Sequence, residues 1–383
     1  MAADLHIFCG RVITPETELE NVLLEIEAGA IAKIHQNATP PREGSFVDAS
    51  DGLVVPGFID IHVHGGDGFD AVDGTYEAIC GISAHLARHG VTSFLPAIMT
   101  SPWPQIVQAV HAVKEAVDRG TPGAAVLGAH IEGPFLNTEH KGAQPPEFMR
   151  KPSVEEFEDN LGDFLAYIKV VTLAPELPGA GELIGYLLSK GITVSAGHSG
   201  ASYEEMLGAV QMGVRSATHT YNGMKGFHHH EPGIIGAIFA EDRLFAELIW
   251  DNLHVHPGAA KMLVRAKGCS RVMLVSDAMR ASAAADGEYD LAGQTVYVRH
   301  GAARLAGGIL AGSTITLDQA VRNAAEHVGL RAAVEMATLT PAKSIGVANR
   351  RGAIEVGLAA DLTVLDRELN VVKVFIGGQQ IGK

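Results

Sequence analysis

Three cysteines in 383 residues, Cys9, Cys80 and Cys269, are odd in number and far apart, so no disulfide framework is expected. No Cys-x-x-Cys occurs, which removes the common thiolate zinc sites and the dithiol redox motif. A reducing compartment, the cytoplasm, fits this cysteine usage. Positive charge is also short: 29 Lys and Arg against 44 Asp and Glu leave a net charge of −15. Phosphate backbones and anionic lipids need a positive surface, so general binding to nucleic acid or to membrane surfaces is excluded, although a local cationic pocket is not. No uncharged apolar run reaches the roughly 18 residues of a spanning helix. Met1 to Gly10 lacks a cationic stretch ahead of a long apolar run, and no secretory leader is expected. Charged residues amount to 19% and apolar ones to 47%. That is the opposite of a disordered chain.

What is present is a large apolar fraction, 44 glycines and 18 histidines. A single core rarely grows past roughly 250–300 residues, so one large domain plus a small one is expected. The two ends read alike. Leu5 to Cys9, Val22 to Ile26 and Ile31 to Ile34 are short β-rich runs broken by Gly10, Gly29 and Gly44. Asp361 to Leu365 and Val371 to Ile376 repeat the pattern near the other end. A small β-sandwich domain is predicted from residues 1–56 plus 349–383.

The middle, residues 57–348, alternates. Eight apolar runs occur at 58–63, 92–98, 125–131, 170–174, 192–196, 215–219, 245–250 and 271–276. Helical patterns separate most of them, at 76–89, 106–119, 154–168, 182–190, 203–212 and 257–267. Near-continuous apolar strands alternating with amphipathic helices indicate a parallel sheet covered on both faces. Eight such units fit a closed (β/α)8 barrel of the α/β class.

Barrel enzymes work at the C-terminal ends of their strands. There the first run delivers His62 and His64, two apart and so on one face. The third ends His130-Ile131-Glu132, the fifth Gly197-His198, the sixth Thr218-His219 and the eighth Ser276-Asp277. Each signal alone has a bland counterpart. The strand-1 pair reads equally as two half-exposed histidines, and His198 as a hydrogen-bonded core histidine. Glu132 and Asp277 are harder to dismiss, because a buried carboxylate without a partner is costly. Six nitrogen and oxygen donors at corresponding ends of separate strands, with no cysteine among them, suit Zn2+ or Fe2+.

The run Pro56 to His64 and the later strand-end residues resemble the amidohydrolase superfamily. The stretches His130 to Asn137, Gly197-His198-Ser199, Thr218 to Met224, Glu231-Pro232-Gly233, Asp251 to Val255, Ser276-Asp277-Ala278 and Leu310 to Ser313 narrow the resemblance to the N-acetylglucosamine-6-phosphate deacetylases. The likeness covers essentially the whole chain. It implies Glu132, His198 and His219 as ligands of the main metal, with His62 and His64 available for a second ion. It implies Asp277 as catalytic acid and base. Asn222, Gly223 and Ala143 would contact the sugar, and His254 its phosphate. A homodimer is implied as well.

Two positions depart from that pattern. The family usually places histidine where this chain has Gln144, a residue that donates a hydrogen bond but carries no charge. It usually places arginine where this chain has His230, an arginine that reaches a neighbouring subunit's phosphate. His228 and His229 stand beside it, and the three also read simply as a solvated loop. The implied reaction is hydrolysis of an N-acetyl amino sugar, with Gln144 or another donor aiding the developing oxyanion. Three alternatives stay open. The first is another N-acetyl sugar, phosphorylated or not. The second is a dihydroorotase-type amidohydrolase, although the strand-4 end (Ala174-Pro175-Glu176) lacks the carboxylated lysine of that type. The third is a non-catalytic barrel.

Overall fold

The computed structural model describes residues 5–14, 17–41 and 46–382, so Gly44 lies outside the described residues. Eight parallel strands form the barrel: Phe58–Val63, Val91–Met99, Ala129–Glu132, Ile168–Leu173, Thr193–Ala196, Ser216–Ala217, Phe245–Ile249 and Val272–Val275. They are hydrogen-bonded in chain order, and the last meets the first through Asp277 N donating to His62 O at 2.8 Å. Nearly every barrel-strand residue is buried, because one face meets the barrel interior and the other the helical ring. The expected run 125–131 is two pieces, Ala125–Val126 and Ala129–Glu132. They flank Gly128, whose φ of +139° breaks the strand.

The helices Tyr76–Arg88, Trp103–Arg119, Val154–Leu161, Ala180–Ser189, Tyr203–Met212 and Pro257–Lys267 fall on the amphipathic patterns. Gly233–Ala240 is a helix that those patterns do not include. It is apolar all round and buried along most of its length, so it carries no helical period. Beyond strand 8 the chain departs further from simple alternation. A three-stranded antiparallel sheet (Gly287–Leu291, Gln294–Arg299, Ala302–Leu305) precedes the helices Leu317–Val328, Leu330–Ala337 and Leu339–Ser344.

The two ends combine in one seven-stranded sheet. Leu5–Ile13, Glu18–Glu27, Ala30–His35 and Val47–Pro56 come from one end, and Leu362–Leu365, Val371–Ile376 and Gln379–Ile381 from the other. Val47–Pro56 pairs with Leu362–Leu365 and so joins them. The edge strand Ala30–His35 bends back to the segment before Leu362: Ile31 N donates to Leu358 O, and Ala360 N to Gly29 O, both at 2.9 Å. The sheet thereby wraps a core of its own, with Ile7, Leu24, Ile26, Val54, Leu362 and Phe375 inside. The fold is the α/β barrel with a small β-sandwich that the sequence predicts.

Candidate metal centre

Strand 1 ends with His62 and His64, whose rings lie on the same side, 5.2 Å apart. Both are buried, at 0% and 4% exposure, which disposes of the half-exposed reading. Strand 3 delivers Glu132 and strand 8 delivers Asp277. His198 and His219 sit just past strands 5 and 6, in the left-handed region at φ +47° and +31°, and Asp277 shares that conformation at +49°. Strain of this kind costs of order 1–3 kcal/mol per residue and persists where surrounding contacts impose it. It turns three side chains inward from the strand ends.

These residues converge. Glu132 Oε1 stands 3.1 Å from His198 Nε2 and 3.0 Å from His219 Nε2, and the two nitrogens are 3.1 Å apart. Glu132 Oε2 lies 3.4 Å from His64 Nε2, and Asp277 Oδ1 lies 3.1 Å from that nitrogen and 3.5 Å from His62 Nε2. Two donor sets result, Glu132–His198–His219 and His62–His64–Glu132, each with its ligand atoms within 4.8 Å of one another. His62 Nε2 and His219 Nδ1 are buried without a hydrogen-bond partner among the described residues. Lone pairs so close together, with the orphaned His62 Nε2 among them, repel unless protons or a cation sit between them. The donor set suits a divalent ion.

The electrostatics agree. Burial opposes ionisation of Glu132, but the His62 charge and the hydrogen bonds from His198 and His219 hold its carboxyl well below the ordinary range. Asp277 is likewise opposed by burial and drawn down to about 2 by His62 and His64. Burial pushes the His62 imidazole down, yet Asp277, Glu247 and Glu132 together raise it well above its usual value. Carboxylates and imidazoles thus hold each other charged, and a divalent ion would take the place of the imidazolium protons between them.

A cavity of about 180 Å³ opens over these atoms. Its lining holds His64, Glu132, His198, His219 and Asp277, together with Ala143, Gln144, Asn222, Gly223 and His254. Asp251 Oδ2 accepts from His254 Nδ1 at 2.6 Å and fixes that ring. Asn222 N donates to His219 O at 2.9 Å, and Gly223 O accepts from Ser199 N at 2.9 Å, which fastens the turn to the ligand loops. His62 lies beneath the cavity. His230 is outside its lining, on an exposed stretch where the His228, His229 and His230 rings cluster at tilted angles with centroids 4.0–5.6 Å apart.

Gln144 is engaged on both sides. Its Nε2 donates to Glu132 Oε2 at 2.7 Å, and its Oε1 accepts from Thr100 N at 2.9 Å. As placed it steadies a metal-ligand candidate with one amide hydrogen, and the second N–H of the same group is the one left to donate to a substrate carbonyl. His130 bonds Ile61 O at 3.0 Å and Thr172 Oγ1 at 2.8 Å, and burial lowers it to about 4, so it is a satisfied core histidine. Sequence reasoning missed Glu247, buried in strand 7, which bonds His62 Nδ1 at 2.9 Å. A lone acid inside the apolar run 245–250 was the available signal.

The sequence pattern of the Amidohydrolase family matches residues 53–381. The chain belongs to the amidohydrolase family. Enzymes of this family generally depend on a divalent metal, and the two His/Glu clusters above are able to hold one. An N-acetylgalactosamine-6-phosphate deacetylase from Escherichia coli O157:H7 is 38% identical to this amidohydrolase over 371 residues, covering 96% of this chain and 97% of the relative. The N-acetylglucosamine-6-phosphate deacetylase of Bacillus subtilis is 36% identical over 385 residues, covering 99% and 97%. A mutant N-acetyl-D-glucosamine-6-phosphate deacetylase from Mycobacterium smegmatis, solved with N-acetyl-D-glucosamine-6-phosphate, superposes with a TM-score of 0.93 at 30% identity over 100% of both chains. Among the described residues no helix is long and apolar enough to cross a membrane.

Proposed function

We propose that this chain hydrolyses the N-acetyl group of N-acetylglucosamine 6-phosphate, giving glucosamine 6-phosphate and acetate in amino-sugar breakdown. The observation that carries the reading is the convergence of Glu132, His198 and His219 on one point, with Asp277 facing the same cavity. Glu132, His198 and His219 hold a first divalent ion, Zn2+ or Fe2+, and His62 and His64 offer a second site. Bound there, such an ion polarises the amide carbonyl and lets water act as a nucleophile near pH 7.

The chain's own residues do the rest. Asp277, ionised and steadied by His64, takes a proton from the attacking water at Oδ1. The C–O bond forms at the acetamide carbon and the C–N bond breaks. Asp277 then returns the proton to the departing amine. Gln144 keeps Glu132 in place through its 2.7 Å bond. Asn222, Gly223 and Ala143 position the sugar, and His254, held by Asp251, takes the phosphate. His230 supplies a further phosphate contact from a partner subunit in a homodimer, which sedimentation would show. The chemistry resides in residues 57–348, and the two-ended domain, 1–56 plus 349–383, carries none of it. The setting is cytoplasmic.

The deciding assay compares kcat/KM on N-acetylglucosamine with and without the 6-phosphate. Preference for the free sugar sinks the phosphate assignment and leaves the deacetylation intact. A second substrate, N-acetylgalactosamine 6-phosphate, is favoured by the name of the Escherichia coli relative. The epimer belongs in the same assay.

A further inference from the structure

Glu247 lies one layer beneath the donor cluster, in strand 7, with no exposure and no place in the reaction above. Its Oε2 is shared. It accepts from His62 Nδ1 at 2.9 Å and from the His219 backbone N–H at 3.1 Å. Its Oε1 has no partner among the described residues. The first bond commits Nδ1 of His62 to Glu247 and leaves Nε2 as the nitrogen that faces the site, toward Asp277 Oδ1 at 3.5 Å and Glu132 Oε1 at 3.8 Å, where it can coordinate an ion once its proton is displaced. The second bond holds the peptide of His219, whose φ of +31° needs outside support. His62 belongs to one donor set and His219 to the other.

Glu247, His62 and His130 also lie close together, but both ring nitrogens of His130 are taken by Ile61 O and Thr172 Oγ1, so they do not make a third ion site. A merely structural role fits Glu247 poorly. A buried carboxylate with one bare oxygen is expensive, and a glutamine of the same shape would accept the same hydrogen bonds without charge. A carboxylate behind a metal-binding imidazole has a known use: it fixes the ring and strengthens the ligand.

We propose that Glu247 is a positioning residue that ties the two cation subsites together, aiming His62 at the second ion while anchoring the backbone of His219 at the first. The inference rests on the metal reading given under Proposed function. The test uses the full-length chain stripped of metal and titrated with Zn2+ and with Co2+. The unaltered chain should take up two equivalents. Glu247→Gln keeps the shape but removes the charge that strengthens the His62 imidazole as a ligand, so it should weaken the second equivalent about 10–100-fold, with a changed Co2+ absorption, and change the first equivalent less. Two equivalents bound by Glu247→Gln with unaltered affinities and spectrum would overturn the proposal. So would saturation of the unaltered chain at one equivalent.

Should Glu247→Gln fail to fold, zinc-edge anomalous diffraction on the unaltered chain decides. The second ion should sit on His62 Nε2, with the Nδ1–Glu247 bond intact. An ion elsewhere, or a His62 ring turned away from Glu247, refutes the role. Deacetylation by the unaltered chain is measured in parallel. Its absence sinks the functional reading, whereas the titration judges Glu247 by itself.

Discussion

Asp277 stays ionised through the neutral range because His62 and His64 overcome its burial and hold it at about 2. It is therefore ready to accept a proton before bond formation. Asp277→Asn keeps the shape and loses that capacity, so kcat should fall about 10²–10⁴-fold while metal content, read by mass spectrometry of the metal, stays level. Turnover within tenfold of the parent would remove Asp277 from the mechanism. Away from the site, His85 is 2% exposed and donates to or accepts from Ser282 Oγ at 3.1 Å. Burial first, then the charges of His89 and Arg88, lower it to about 4. The folded chain thus keeps His85 neutral, while the unfolded chain protonates it below about 6.5. Stability should be lost as pH falls from about 6.5 towards 4, by up to about 3 kcal/mol from this group. Urea midpoints at pH 7.5 and pH 5 test it: His85→Gln should lose less on acidification than the parent, and equal losses refute the assignment. Glu132 and Asp277 were legible in the sequence because each follows an apolar run at a strand end. Glu247 obeyed the same logic from mid-strand. The contacts of Gln144 were not legible, because they depend on how the 137–144 loop folds back over strands 2 and 3.

Loops between strand ends and helices set the site's geometry. Gly223 has a φ of +59°, and a Cβ there would lie 2.7 Å from His198 Nδ1. Gly223→Ala adds a left-handed penalty of about 1–2 kcal/mol and pushes on a metal-ligand candidate. The expected result is a retained circular dichroism spectrum with metal affinity at least tenfold weaker. Unchanged affinity would mean that the loop yields instead of the ring. The three-stranded insert reaches the same rim: Gln294 Nε2 donates to Ala143 O at 2.8 Å, and Leu291, Ile309 and Leu310 line the cavity. Gln294→Ala should loosen the 141–144 loop and raise KM several-fold with little change in Tm. The amphipathic helices could be read from period alone, since one buried face leaves a 3.6-residue signature. Gly233–Ala240 could not, being apolar on every side. The insert's short strands gave no barrel-like alternation to follow.

Closing the barrel gathers Asp60, Glu132, Glu247 and Asp277 into one buried region, all at 8% exposure or less. A bound cation compensates that negative charge and binds only the folded chain, so it stabilises by mass action. Chelation should lower Tm by several degrees, and adding Zn2+ should restore it. A melting curve indifferent to chelator would argue against a resident ion.

The sequence by itself determined the barrel-and-sandwich architecture and which residues are candidates to bind a metal. Hydrophobic period, turn residues and strand ends are local properties, and they are enough to bring the strand-end histidines to one end of the barrel. Only the tertiary structure decided which atoms meet. It committed Gln144 to Glu132, set Glu247 behind His62, satisfied His130 in the core and left His230 outside the cavity. Those outcomes depend on rotamers and on contacts between residues as far as 185 positions apart, as in the His62–Glu247 bond, and no local pattern encodes them.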